Sequence, residues 1–201
     1  MEAGEAVAQL DDLLREVRGC THCVAHLPLG PRPVLRAAST ARLLIIGQAP
    51  GTRVHESGVP WDDRSGERLR DWLGMTPELF YDEGRVAIVP MGFCYPGVNG
   101  KGGDLPPRPE CAPLWHAPVL SHLPDIRLTL LIGQYAQKRY LGAKRGRTLT
   151  ETVQRFENYL EDGYLPLPHP SWRTVGWQKK NPWFDTRLLP ELRHRVSRLL
   201  D

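Results

Sequence analysis

Two kinds of residue in this chain carry chemistry at telling positions. The first is cysteine. Cys20 and Cys23 form a C-x-x-C, Cys94 follows after seventy intervening residues, and Cys111 after sixteen more. Two thiolates across a tight turn suit one metal centre, and four suit either tetrahedral zinc or an iron–sulfur cluster. A thioredoxin-like redox role is disfavoured, because this C-x-x-C does not follow a strand. The second is a histidine held between prolines, in PLPHPSWR at 166–173. Prolines fix the backbone and remove N–H donors. His169 is therefore presented on a stiffened turn, with Ser171, Trp172 and Arg173 directly behind it.

Other stretches could serve the same centre. WRTVGWQKKNPWF (172–184) interleaves three tryptophans and a phenylalanine with Arg173, Lys179 and Lys180. That mixture suits aromatic stacking together with neutralisation of a phosphate backbone, although Trp183 and Phe184 are expected to pack inward. GQAPG (47–51) places backbone N–H groups where an anion could sit. WDDRSG (61–66) offers two carboxylates, Asp62 and Asp63, at a position where one of them caps a following helix.

The elements that must position these residues follow from hydrophobic periodicity. Residues 4–18 read as an amphipathic helix stopping at Gly19, and 24–40 as irregular. Arg42–Ile46, Val86–Val89, Leu128–Ile132 and Tyr164–Leu167 read as buried strands. Between and after them, helices are expected over Ser65–Leu73, Cys111–Leu123, from Gly133 to Leu141, over Thr150–Leu160 and over Thr186–Leu200. Alternating strands and helices predict an α/β fold of three layers, α/β/α, around a central, mainly parallel four-stranded sheet. Ligands of such sheets bind beyond the carboxyl ends of the strands. That rule gathers GQAPG, PMGFCYPG (90–97), GQYAQ (133–137) and PHPSWR at one edge, and brings His169 towards Gln48, Cys94 and Gln134.

The bulk numbers set limits. A chain of 201 residues fits a single domain, 1–201, with a substantial core. Its apolar runs are too short to span a bilayer, and no secretory signal pattern is present. A cytoplasmic location is expected, where four cysteines do not ordinarily pair. The net charge of +3 is uneven: from Arg127 onward there are fourteen Lys and Arg against seven Asp and Glu, and before it twelve against sixteen. The C-terminal excess predicts a basic face for a polyanion.

Taken together and in order, these motifs resemble the uracil-DNA glycosylase superfamily, and within it the iron–sulfur branch called family 4. The resemblance runs from Cys20 to about Ser171. It comprises the four cysteines at that branch's spacing, GQAPG against G-E-A-P-G, and GVPWDDRSGERL (58–69) against G-x-P-F-x-G-x-A-G-x-x-L. It continues, more loosely, with LLIGQYAQKRYLG (130–142), and ends with His169–Ser171 against H-P-S. It implies a 4Fe–4S cluster on Cys20, Cys23, Cys94 and Cys111, with zinc as the alternative. It implies that His169 donates a hydrogen bond to a departing base, that Trp61 stacks on that base, and that Gln48, Ala49 and Gly92 contact it. Ser171, Trp172, Arg173, Lys179 and Lys180 would then meet DNA, Trp172 as a wedge in the minor groove.

Two departures accompany the resemblance. The acid of the first motif is missing: Ala49 stands where other branches carry it, and Gln48 replaces the family-4 glutamate. Asp63, which precedes x-S-G, is the expected substitute. Pro90 also stands where related enzymes have an asparagine that reads uracil, so recognition must use neighbouring backbone or Asn99, or the base is another. The expectation is a monomeric, monofunctional glycosylase that excises uracil from DNA in base excision repair. Its rivals are a glycosylase for hypoxanthine, a DNA-binding relative without turnover, and an unrelated zinc-stabilised nucleotide-binding protein.

Overall fold

The computed structural model describes residues 3–201; the first two residues of the expected domain lie outside the described range. Four strands, β1 (Leu43–Ile46), β2 (Val86–Ile88), β3 (Leu128–Ile132) and β4 (Tyr164–Leu167), form one sheet in the order β2-β1-β3-β4. Every pairing is parallel. The strands are short aliphatic runs buried on both faces, as parallel sheets require.

Successive side chains of a strand point to opposite faces, and the core divides accordingly. Leu43, Ile45, Leu130, Ile132, Leu165 and Leu167 pack with Leu69, Trp72 and Leu73 of α3 (Arg64–Leu73), and with Leu192 and Val196 of α9 (Leu189–Leu200). Leu44, Ile46, Ala87 and Leu131 face the other way. They meet Leu10, Leu14 and Val17 of α1 (Ala3–Arg18), Trp115 and Val119 of α5 (Cys111–Ser121), and Ala136 and Leu141 of α6 (Gln134–Leu141). The result is the expected α/β/α sandwich with a central four-stranded sheet.

Several boundaries differ from expectation. The helix predicted over 150–160 is α7 (Leu149–Gln154), capped by Thr148, followed by a 3-10 turn at Phe156–Tyr159. Arg155 interrupts the regular helix so that Phe156 and Tyr159 enter the cores on opposite faces of the sheet. The last helix begins as a wider π turn at Phe184–Leu188, which seats Phe184 and Leu188 fully inside. Three short helices escaped the periodicity reading: α2 (Thr52–Ser57), α4 (Pro77–Phe80) and α8 (Thr174–Lys180). Segments of four to seven residues hold too few turns to display a period. Within 24–40, Val24–His26 forms a 3-10 turn, and Arg36 pairs with Ile88, covering the β2 edge.

Candidate active site

The carboxyl ends of all four strands open into one cavity of about 440 Å3, an ordinary size for a small-molecule site. β1 contributes Gly47–Gly51, β2 leads to Pro90, β3 gives Gln134 and Tyr135, and β4 gives His169, Ser171, Trp172 and Arg173. Trp61, Asp63 and Ser65 complete one wall, and Gly102–Asp104 overhang another. Gln48, Ala49, Trp61, Asp63 and His169 are thus brought together as expected.

His169 is fixed by more than its prolines. Its carbonyl accepts from the Ser171 amide at 2.8 Å and from the Thr174 hydroxyl. The buried Gln137 amide bonds to the carbonyls of Leu131 and Leu167, pinning the ends of β3 and β4 together just before the turn. Arg68 of α3 reaches the Ser171 carbonyl at 3.3 Å and Gln178 of α8 at 3.3 Å, so one guanidinium holds the loop behind the histidine. Burial lowers the His169 pKa below its usual value; Asp63, and then Asp104, oppose that effect. At neutral pH the imidazole is therefore uncharged and retains one N–H to donate.

Trp61 has a backbone φ of 59°, the left-handed region that side chains other than glycine seldom adopt. Two glycines make room for it. A Cβ on Gly47 would lie 2.8 Å from the indole, and one on Gly66 would lie 1.7 Å from the Trp61 carbonyl oxygen. The indole consequently lies 5.6 Å from the His169 ring, tilted by 33°. Strain of this kind, costing about 1–3 kcal/mol, collects at functional sites.

Asp63 is both helix cap and pocket residue. Its Oδ1 accepts from the Gly66 amide at 2.8 Å, and it faces the cavity, whereas Asp62 is not part of the lining. Pro90 lines the cavity, but its carbonyl is taken by His116 Nε2 at 2.8 Å. The next two amides, of Met91 and Gly92, donate to the carbonyls of Gly47 and Gln48. Backbone beside Pro90 is thus committed to joining two loops.

Three placements correct the sequence reading. Gly92 does not line this cavity; its amide is engaged and its surface faces the cysteines instead. Asn99 is exposed, and its Oδ1 accepts from the amides of Lys101 and Gly103, so it serves its own turn. Cys94 lines the cavity of the other cysteines and not this one. The polar wall residues that motif reasoning missed are Ser65, Tyr135 and Asp104. Ser65 and Tyr135 stood inside quoted motifs, while Asp104 lay in a loop with no pattern to mark it.

At the pocket mouth, Trp172 is 77% exposed, with the Arg173 guanidinium 5.5 Å from its ring. Lys179 and Lys180 are exposed on the last turn of α8. Trp177 packs edge to face with Trp183 and Phe184. Of the aromatics in 172–184, Trp172 is the one left free to insert elsewhere.

The four cysteines line a second, small cavity of about 20 Å3 with Leu27, Phe93, Leu114 and Trp115. The Phe93 amide donates to Cys111 Sγ at 3.4 Å. Burial pushes the Cys94 thiol up to about 11 and the Cys111 thiol up to about 12. Among the described residues no group of three or more His, Cys, Asp or Glu could hold a metal ion. The thiols share one cavity wall without forming the coordination sphere of a single ion.

Residues 35–193 match the family model for the uracil DNA glycosylase superfamily, which spans well over half of the chain. The chain belongs to that superfamily. Its members are DNA glycosylases, so DNA is the plausible partner and hydrolysis of an N-glycosyl bond the expected class of reaction. The matched span includes every residue of the pocket except Val34, and neither Cys20 nor Cys23. No helix among the described residues is long and apolar enough to cross a membrane.

Proposed function

We propose that the protein is a monofunctional DNA glycosylase acting in base excision repair, with uracil as its base. The observation that carries this reading is the meeting of His169, Trp61 and Asp63 around one cavity at the carboxyl edge of the sheet. A base drawn out of the helix would stack on the Trp61 indole, and Trp172 would fill the gap it leaves, with Arg173 on phosphate. As the bond to the sugar stretches, negative charge grows on the base and positive charge on the sugar. The neutral His169 N–H, held still by its turn, meets the first; the Asp63 carboxylate, anchored on Gly66, meets the second.

Hypoxanthine is the second reading for the base. Pro90 offers no side-chain donor or acceptor, its carbonyl is engaged by His116, and the cavity has room for a purine. The same Pro90, with Ala49, supports the remaining reading, a DNA-binding relative without turnover. Incubation with duplexes carrying uracil or hypoxanthine, followed by abasic-site cleavage, separates the three. Uracil release supports the first, hypoxanthine release alone the second, and tight binding without release of either the third.

For the cysteines we propose a 4Fe–4S cluster, with zinc as the alternative. All four are sulfur donors in an apolar wall, and the Phe93 N–H at Cys111 is the type of bond that tunes such clusters. The present cavity has room for about one water molecule, so cluster binding requires these loops to spread. When bound, the cluster would tie the N-terminal segment and the loop before α5 to the sheet.

A further inference from the structure

The pocket carries a second carboxylate that the motifs do not explain. Asp104 ends a short hairpin, paired by a backbone bridge to Val98 and closed by Asn99. The hairpin is fastened to the pocket by Gln48. Gln48 Nε2 donates to the Leu105 carbonyl at 3.4 Å, immediately after Asp104. The side chain that stands in place of the first-motif glutamate therefore holds the segment bearing Asp104. Asp104 lines the cavity together with His169 and Asp63, and it is exposed to solvent. Among the described residues its carboxylate has no hydrogen-bond or ion-pair partner, whereas Asp63 already accepts from Gly66. One Asp63 oxygen is thus held by the backbone, while the Asp104 carboxylate is left open to a water.

We propose that Asp104 is the general base of the glycosylase reaction, a role that rests on the function proposed above. Asp104 takes one proton from the attacking water, and Asp63 serves as the fixed charge beside the cationic sugar. The water oxygen bonds to C1′ of the sugar. The bond from C1′ to the base nitrogen breaks, and its electron pair leaves with the base. The proton on Asp104 passes to solvent as the base nitrogen gains one. Water and N-glycoside thus become free base and abasic sugar, with no other reactant.

The test is single-turnover release of uracil and hypoxanthine by the wild type, Asp104→Ala and Asp63→Ala, with and without added formate. Alanine keeps the backbone bridge to Val98, so the hairpin persists. Asp104→Ala should lose about a hundredfold or more in rate while binding duplex like the wild type, and formate should restore at least about tenfold, by standing in as the mobile base. Formate should do nothing for Asp63→Ala. An Asp104→Ala rate equal to wild type, or a loss that formate leaves unchanged, overturns this role alone. A wild type that releases neither base overturns the glycosylase reading, and this role with it.

Discussion

Gly66→Ala probes the dependence of the pocket on the strained Trp61. The new Cβ would lie 1.7 Å from the Trp61 carbonyl oxygen and 2.6 Å from the carbonyl carbon. Ordinary contacts are about 3.5 Å, so the two groups must part by about 2 Å. The neighbour is backbone, and no rotamer change relieves it. The helix cannot retreat easily, because Gly66 is buried in the first turn of α3 with its amide on Asp63. Trp61 must therefore move, breaking the 3.4 Å bond from Arg70 to its carbonyl and shifting the indole from His169. Overpacking costs about 1–3 kcal/mol, and alanine in a helix recovers about 0.5–1 kcal/mol. The net loss of about 1–2 kcal/mol lowers Tm by roughly 2–8 °C in a domain of this size. Displacement of a stacking group by more than an ångström should slow base release by about a hundredfold. Thermal unfolding and single-turnover kinetics measure both effects. Gly176→Ala, where nothing lies within 4 Å, is the control and should not lower Tm. A Gly66→Ala protein with wild-type Tm and rate would refute the reasoning.

Burial lowers the His116 pKa from 6.5 to about 4. On acidification the unfolded chain takes that proton first, so stability should fall between pH 6.5 and pH 4 by on the order of 3 kcal/mol. In urea unfolding His116→Asn should show a flatter pH dependence over that window, and parallel curves would contradict it. Arg173→Ala should weaken duplex binding for all sequences alike and reduce the salt slope by about one; an unchanged slope places the cation away from phosphate. Protein purified without oxygen should be brown, with about four iron and four sulfide per chain, and Cys20→Ser should lower Tm before it alters chemistry. Stoichiometric zinc in a colourless, folded preparation would contradict the cluster.

The fold was legible because four aliphatic runs separated by helical periods leave a parallel sheet as the consistent arrangement. The strand-end rule then located the pocket, since His169, Gln48 and Gln134 had to share one edge. What escaped depends on direction rather than on element. Cys94 and Gly92 sit only a few residues beyond Pro90, yet the loop turns them to the other side, into the cysteine cavity. Trp177 falls in a basic, aromatic stretch, and only packing against Trp183 and Phe184 reveals that it is half-buried against the core. Asp104 was invisible because a hairpin of glycines carries no period, and its approach to the pocket depends on one long-range bond from Gln48.

The central claim is that His169 acts on the departing base, and His169→Ala in single-turnover base release tests it most directly. A donor used mainly in the transition state should cost about a hundred- to a thousandfold in rate when removed, with duplex affinity and Tm close to wild type. A rate unchanged from wild type, or a rate loss matched by equal losses of binding and stability, would contradict the account.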